Sequence, residues 1–161
     1  MLLNIITDPN PILHRIAKTL TLKDIKSEEI QNLIKQMTPT MHLKDGVGLA
    51  ATQVGRLLQI CIIHKNHTSE KNKDLILINP TWKKIGIFTN WDEEGCLSVP
   101  NTWGEIKRYS KIKVSALDQD GRPLTFTAAN FLARIIQHEV DHMHGVLFIS
   151  KAKNLHLVYK E

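Results

Sequence analysis

Long apolar runs are missing from this chain. Nothing in it approaches the roughly 18 residues that span a bilayer, which excludes an ordinary membrane helix. The opening "MLLNIITDPNP" has no basic n-region, no long apolar stretch and no small-residue cleavage site, so the sequence reads as unexported. Cysteine is nearly absent, with only Cys61 and Cys96 in very different surroundings. Two such residues make no disulfide framework, and a reducing compartment, the cytoplasm, is expected. Internal repeats, low-complexity tracts and composition shifts that would mark a linker are missing too. What remains is 161 residues, 42% of them hydrophobic, which suits one compact domain over residues 1–161 with one sizeable core.

The net charge of +5 comes from scattered lysines, as in Lys83 and Lys84 and in "IKRYSKIK", with no dense basic block. A general attraction to polyanions follows, but no sequence-specific nucleic-acid binding.

Apolar residues at Ile12, Leu13, Ile16 and Leu20 predict a short first helix after the turn-like "DPNP". Ser27, followed by two glutamates, starts a second, in which Ile30, Leu33, Ile34 and Met37 keep helical spacing until "TPTMHLKDG" dissolves it. From Leu57 the chain reads as strands: "LLQICIIH", then "LILINPTW" after the polar "NHTSEKNKD". Further strands are expected around Lys84–Asn90, Ile106–Leu117 and Leu124–Thr127, with "DQDG" as the hairpin turn between the last two. Thr127 is the expected cap of a long closing helix, buried on more than one side and ended by Gly145. The fold class is α+β: mostly antiparallel sheet around a long helix near the C-terminus.

In that helix the stretch "QHEVDHMHG", Gln137 to Gly145, sets His138 and His142 four residues apart, on one face, with Glu139 beside them. Two imidazoles so placed can hold one cation. Glu139 is close enough to take a proton from a water on that cation without being a ligand, as a general base does. The plain alternative is two partly buried histidines bonded to backbone or to Asp141. A catalytic metal usually has three protein ligands and one open position, so a third is required. Metalloproteases that follow the histidine pair with G-x-x-H would place it at residue 148, but that residue is Phe148. His144 points off the shared face, and Glu161, at the end of the chain, is no better placed. Cys96 in "EGCLSVP" is the remaining candidate, beside a glycine and unlike Cys61, which sits in "ICII" as a small buried hydrophobe.

The string "GVGLAA" fits a loose dinucleotide-binding pattern, but "MHLKD" before it is no apolar strand and no acidic residue follows at the right distance. Glycines that let a peptide backbone lie close are the better reading.

Taken together, "GVGLAATQ" at 46–53, "EGCLS" at 94–98 and "QHEVDH" at 137–142 resemble the peptide deformylases in order and spacing, and the resemblance runs from "NIITDPNPILHRIAK" to "HGVLF". It implies one divalent metal ion held by Cys96, His138 and His142, with Glu139 activating a water that attacks a formyl carbon. Gln53 can supply a side-chain N–H to the oxyanion, and by similarity the backbone N–H of Leu97 is a second donor. The implied partners are N-formylmethionyl nascent peptides, with Gly48, Val47, Gly95, Trp103 and Ile135 as substrate contacts around an apolar methionine pocket. Trp103 and Arg134 stand where family members vary. For Trp103 a partly exposed core aromatic is the plain alternative.

Two imidazoles and a thiolate accept Fe(II), Zn(II), Ni(II) or Co(II), and raw affinity favours zinc over iron. The resemblance points to Fe(II) in the cell and to other ions after purification in air. A monomer is expected, and the lack of long apolar runs leaves no membrane partner. Bacterial members often carry a further helix linked to ribosome docking, whereas "ISKAKNLHLVYKE" is short, a solvated tail with at most a weak ribosome contact. A metallopeptidase and a catalytically inactive, peptide-binding relative are the rival functions.

Overall fold

The computed structural model describes residues 1–159, so Glu161 lies outside the described residues. Three α-helices and eight strands alternate with short 3₁₀ turns: α1 (Leu22–Ile25), α2 (Glu28–Leu43), β1 (Gly48–Ala50), β2 (Ile60–Ile63), β3 (Leu75–Lys84), β4 (Thr89–Cys96), β5 (Val99–Tyr109), β6 (Lys111–Leu117), β7 (Pro123–Ala129), α3 (Asn130–Met143) and β8 (Lys153–Leu157). Two sheets form, one in the order β1-β2-β3-β6-β7 and one in the order β4-β5-β8. Every pairing within them is antiparallel, as expected for the α+β class.

Helix α3 packs on one face of the larger sheet, against Ala50, Cys61, Ile63, Leu77, Ile112 and Val114. On the other face α2 covers Leu49, Ile60, Ile62 and Ile78 with Ile30, Leu33, Ile34, Met37 and Met41. The side chains of β2 therefore alternate between two buried faces, which is why "ICII" is apolar throughout instead of alternating. At about 25 cal/mol per Å² of apolar surface, each such buried isoleucine contributes about 2–3 kcal/mol.

Ser27 caps α2 by accepting from the Ile30 N–H, and Glu28 and Glu29 sit in its first turn against the helix dipole. The helix does not end at Thr38; it continues through Pro39 to Leu43. Pro39 removes one helical hydrogen bond, but Thr38 and Thr40 donate their hydroxyls to the carbonyls of Ile34 and Gln36. Burial of Thr40 and Met41 holds the last turn in place.

Other expected boundaries move for tertiary reasons. Only Pro11–His14 of the first expected helix forms, as a 3₁₀ turn. Beyond it the backbone is extended, because Ala17 and Lys18 donate to the carbonyls of Met143 and Leu57, and Leu20 bonds the Asn79 amide through both its backbone groups. The strand expected at Lys84–Asn90 is the tail of β3, a turn at Gly86 and the start of β4. Ile106–Leu117 is two strands. The chain breaks at Ser110 as it leaves the three-stranded sheet for the five-stranded one. The hairpin after Leu117 forms as expected, with Asp118 accepting from Gly121 and from Asp120.

Thr127 does not cap α3; it lies in β7 opposite Lys113, and the helix begins at Asn130 with no side-chain cap. Residues Ala133 through Val140 are buried without interruption, so α3 is enclosed on all sides there. Gly145, at φ +73°, ends it. The C-terminal segment is no free tail: β8 pairs with β5 through Thr102, Trp103 and Glu105.

Candidate metal centre

One turn of α3 stacks His138 over His142, and β4 delivers Cys96 from the smaller sheet to the same point. The Cys96 sulfur lies 3.3 Å from His142 Nε2, which lies 3.2 Å from His138 Nε2. Metal bonds of about 2.0–2.3 Å in a tetrahedron place nitrogen and sulfur ligands about 3.3–3.6 Å apart, so these spacings already fit a zinc-sized or iron-sized divalent ion. The three ligand atoms all fall within 4.8 Å of one another.

The electrostatics agree with a site built around positive charge. Burial pushes the His142 imidazole well down, and His138 adds to that. Burial also acts against a charge on His138, yet Cys96 and Glu94 more than reverse it. His142 is thus held neutral while Cys96 and Glu94 draw positive charge to His138, and a divalent cation among two imidazoles and a sulfur, with a carboxylate behind them, would satisfy that pull in place of a proton.

Glu94 is that carboxylate, and it had no assigned role in the sequence. Its Oε1 accepts from His138 Nδ1 at 2.7 Å, which fixes the tautomer and leaves Nε2 free to face the cluster. Arg108 binds both carboxylate oxygens at 2.9 Å, and Arg134 donates to Oε2 at 2.8 Å. Burial opposes ionisation of Glu94, but the hydrogen bonds from Arg108 and His138 and their charges hold its carboxyl well below the usual carboxylate range. Asp141 completes the network by accepting from Arg108 at 2.6 Å and from Lys151; it does not bond the histidines.

Arg134 is therefore a strut. Its guanidinium also bonds the Ile106 carbonyl and Asn90, and only 3% of the residue is exposed. A charged residue four positions before His138 in a helix buried all round needs partners, and that was the available signal for it. That Glu94 would be the acidic partner was not legible, because it comes from β4, forty residues earlier.

Glu139 is buried, and its Oε2 has no hydrogen-bond partner among the described residues. Burial pushes its carboxyl up to about 7; the His138 charge works downward and Glu94 upward. Its side chain rests on β1, where a Cβ on Gly48 would stand 2.5 Å from Glu139 Oε1, so any side chain there must displace the carboxylate. Gln53 is anchored by the Ala50 N–H donating to its Oε1 at 2.9 Å, which turns Nε2 toward Cys96 Sγ at 3.5 Å and Ser98 Oγ at 3.2 Å. Leu97 follows Cys96 in the two-residue turn that joins β4 to β5.

These residues open onto one cleft of about 650 Å³. Val47, Gly48, Gly95, Trp103 and Ile135 all line it, with Phe131 at the rim. Trp103 is 40% exposed and lies flat over Gly95, where any Cβ would meet its ring at 2.9 Å. It is a wall of the cleft and not a core aromatic. His142 sits behind the lining, His144 is exposed, and Phe148, in place of a third histidine, stacks on the His138 ring at 6.1 Å. Cys61 is a fully buried thiol in β2.

Comparison with known proteins adds the following. The profile of the polypeptide deformylase family matches residues 2–157. The peptide deformylase of Microchaete diplosiphon is 41% identical over 143 residues, covering 89% of this chain and 75% of the relative. Peptide deformylase 3 of Shewanella oneidensis is 40% identical, covering 95% of this chain and 90% of the relative. Among solved structures, the Synechococcus elongatus peptide deformylase in complex with actinonin superposes with a TM-score of 0.84 at 37% identity, covering 94% of this chain and 79% of that one. The class I type b peptide deformylase of Acinetobacter baumannii bound to Met-Ala-Ser gives 0.87 at 30%, covering 94% and 98%.

Proposed function

Because the chain belongs to the polypeptide deformylase family, we propose that Cys96, His138 and His142 are its metal ligands and Glu139 its general base. The enzyme hydrolyses the formyl amide of N-terminal formylmethionine on newly made polypeptides, giving formate and a free amine. Its α+β fold is that of its solved relatives, and the family is metal-dependent.

Cys96, His138 and His142 would hold a divalent cation, which would supply Lewis acidity to a water and to the formyl oxygen. The chain's own residues do the rest. Glu139, with one oxygen unbonded beside the cluster, takes the proton of the attacking water and passes it to the amide nitrogen as the C–N bond breaks. Gln53 Nε2, held by the Ala50 anchor, and the backbone N–H of Leu97 donate to the oxygen that becomes negative. Gly48 and Gly95 let the substrate backbone lie close, and Val47, Trp103 and Ile135 form the apolar walls for the methionine side chain.

The single observation that carries this reading is the convergence of a thiol and two imidazoles beside a buried carboxylate with an unbonded oxygen. Formate release from formyl-Met-Ala-Ser by anaerobically purified, iron-loaded protein tests it, with Glu139→Ala as the control. The variant should keep its metal and lose hydrolysis by at least about 100-fold. Activity in that variant, or a Cys96→Ala protein that still hydrolyses the formyl peptide, would overturn the assignment.

Fe(II) is the proposed cellular ion, and purification in air should yield a zinc-bound or partly oxidised, less active form. Metal analysis beside aerobic and anaerobic rates decides this. The enzyme is further proposed to be a single domain acting as a monomer in the cytoplasm; no described helix is long and apolar enough to cross a membrane. Its ribosome contact is proposed to be weak and electrostatic, since Lys151 is paired with Asp141 and Lys153 lies over the Trp91 ring. Binding to ribosomes at increasing salt measures that contact.

A further inference from the structure

We propose that His42, His64 and Asp74 form a second cation site, for a divalent ion of the zinc class, behind the wall of the substrate cleft. The three residues come from separate places: His42 from the last turn of α2, His64 from the residue after β2, and Asp74 from the residue before β3. Their ligand atoms nonetheless lie within 4.8 Å of one another, the same closeness that marks the catalytic cluster.

The donors are held in place by their surroundings. The Lys65 N–H donates to Asp74 Oδ1 at 2.9 Å, which leaves Oδ2 to face His42 Nε2 at 2.7 Å. The His64 ring lies 4.4 Å from that of His42, centroid to centroid. The side chain of Asp74 is 10% exposed and that of His42 34%, so an ion can enter and water can fill its remaining positions. Two imidazoles and one carboxylate suit Zn(II), Cu(II), Ni(II) or Co(II), whereas calcium and magnesium prefer oxygen throughout.

The arrangement also has a plain reading, a His42–Asp74 hydrogen bond with His64 packed beside it. Binding must displace that bond's proton and spread the pair by several tenths of an ångström. It must also trade away the Asn66 N–H bond to His64 Nδ1, whose lone pair or tautomer is needed for coordination. Asn66 is exposed, and water can take over its N–H.

The location gives such an ion something to act on. The backbone N–H of His64 donates to the carbonyl of Val47, a lining residue of the cleft, and His67 packs edge-on against Phe131 at the cleft rim. A cation there ties α2, β2 and the loop of residues 64–74 together directly behind Val47. This proposal stands apart from the deformylase assignment, because it is read from metal content and not from turnover.

The test is zinc stoichiometry by dialysis against chelator-buffered ZnCl₂, starting from holoenzyme with one zinc bound. The wild type should take up a second equivalent, while His64→Ala and Asp74→Asn stop at one and still release formate. Cobalt separates the two sites: the first equivalent gives a thiolate-to-metal charge-transfer band from Cys96, and the second adds cobalt without it. Cys96→Ser should keep one equivalent at the second site, and Cys96→Ser combined with His42→Asn should keep none. A wild type that saturates at one equivalent overturns the proposal, as do two equivalents in His64→Ala and Asp74→Asn, or zinc retained by the double variant.

Discussion

Glu94→Gln changes one atom of a buried carboxylate that receives four hydrogen bonds, from His138 Nδ1, from Nε and Nη2 of Arg108, and from Nη1 of Arg134. The amide is isosteric, but its NH₂ group must face donors on one side, and two guanidinium groups lose their common counter-charge. Arg108 keeps Asp141 as a partner; Arg134 keeps only neutral ones. Removing one member of such a buried network costs about 3–5 kcal/mol, a large fraction of the roughly 5–15 kcal/mol that holds a domain folded. For a chain of this size each kcal/mol lowers the melting temperature by about 2–4 °C, so a fall of about 6–20 °C is expected in calorimetry of the metal-loaded protein. Losing the acceptor behind His138 should also weaken metal affinity about 10- to 100-fold in a chelator competition. Arg122→Gln, at a side chain 78% exposed, is the control and should change neither. A Glu94→Gln protein that melts within about 1 °C of wild type would refute the view that this ion network stabilises the site.

Gly48→Ala should lower the formate-release rate far more than metal content, because the new methyl group displaces the Glu139 carboxylate while the ligands stay put; equal losses of both would point to misfolding instead. Gln53→Ala removes an oxyanion donor and should cost about 100- to 1000-fold in kcat with little change in KM, and an unaltered kcat would exclude that role. Chelation of the metal should abolish activity and lower the melting temperature, and both should return on adding back Fe(II) anaerobically; full activity in the metal-free protein would contradict the mechanism. Thr127→Ala, at a position that caps nothing, should change stability by less than about 0.5 kcal/mol in denaturant titration, whereas the cap variant Ser27→Ala should cost about 1 kcal/mol.

What the sequence determined by itself is what lies close along the chain. The histidine pair one helical turn apart, Ser27 as a cap, the apolar run of β2, the Asp118–Gly121 turn and the stop at Gly145 are local, and each is decided by spacing or by backbone conformation over a few residues. Cys96 emerged as the candidate third ligand by elimination and then by the resemblance of three short motifs, since nothing local ties it to α3. The tertiary structure decided everything that depends on which distant residues meet. It made Leu20 extended by bonding it to Asn79, broke the chain at Ser110 between two sheets, carried α2 through Pro39, and made a strand of the C-terminal segment. It also chose Glu94 from among the acids to stand behind His138 with Arg108 and Arg134, and gathered His42, His64 and Asp74 at one point. The physical reason is the same in each case: a buried polar group must find a partner, and sheet pairing brings that partner from a part of the chain that local spacing does not specify.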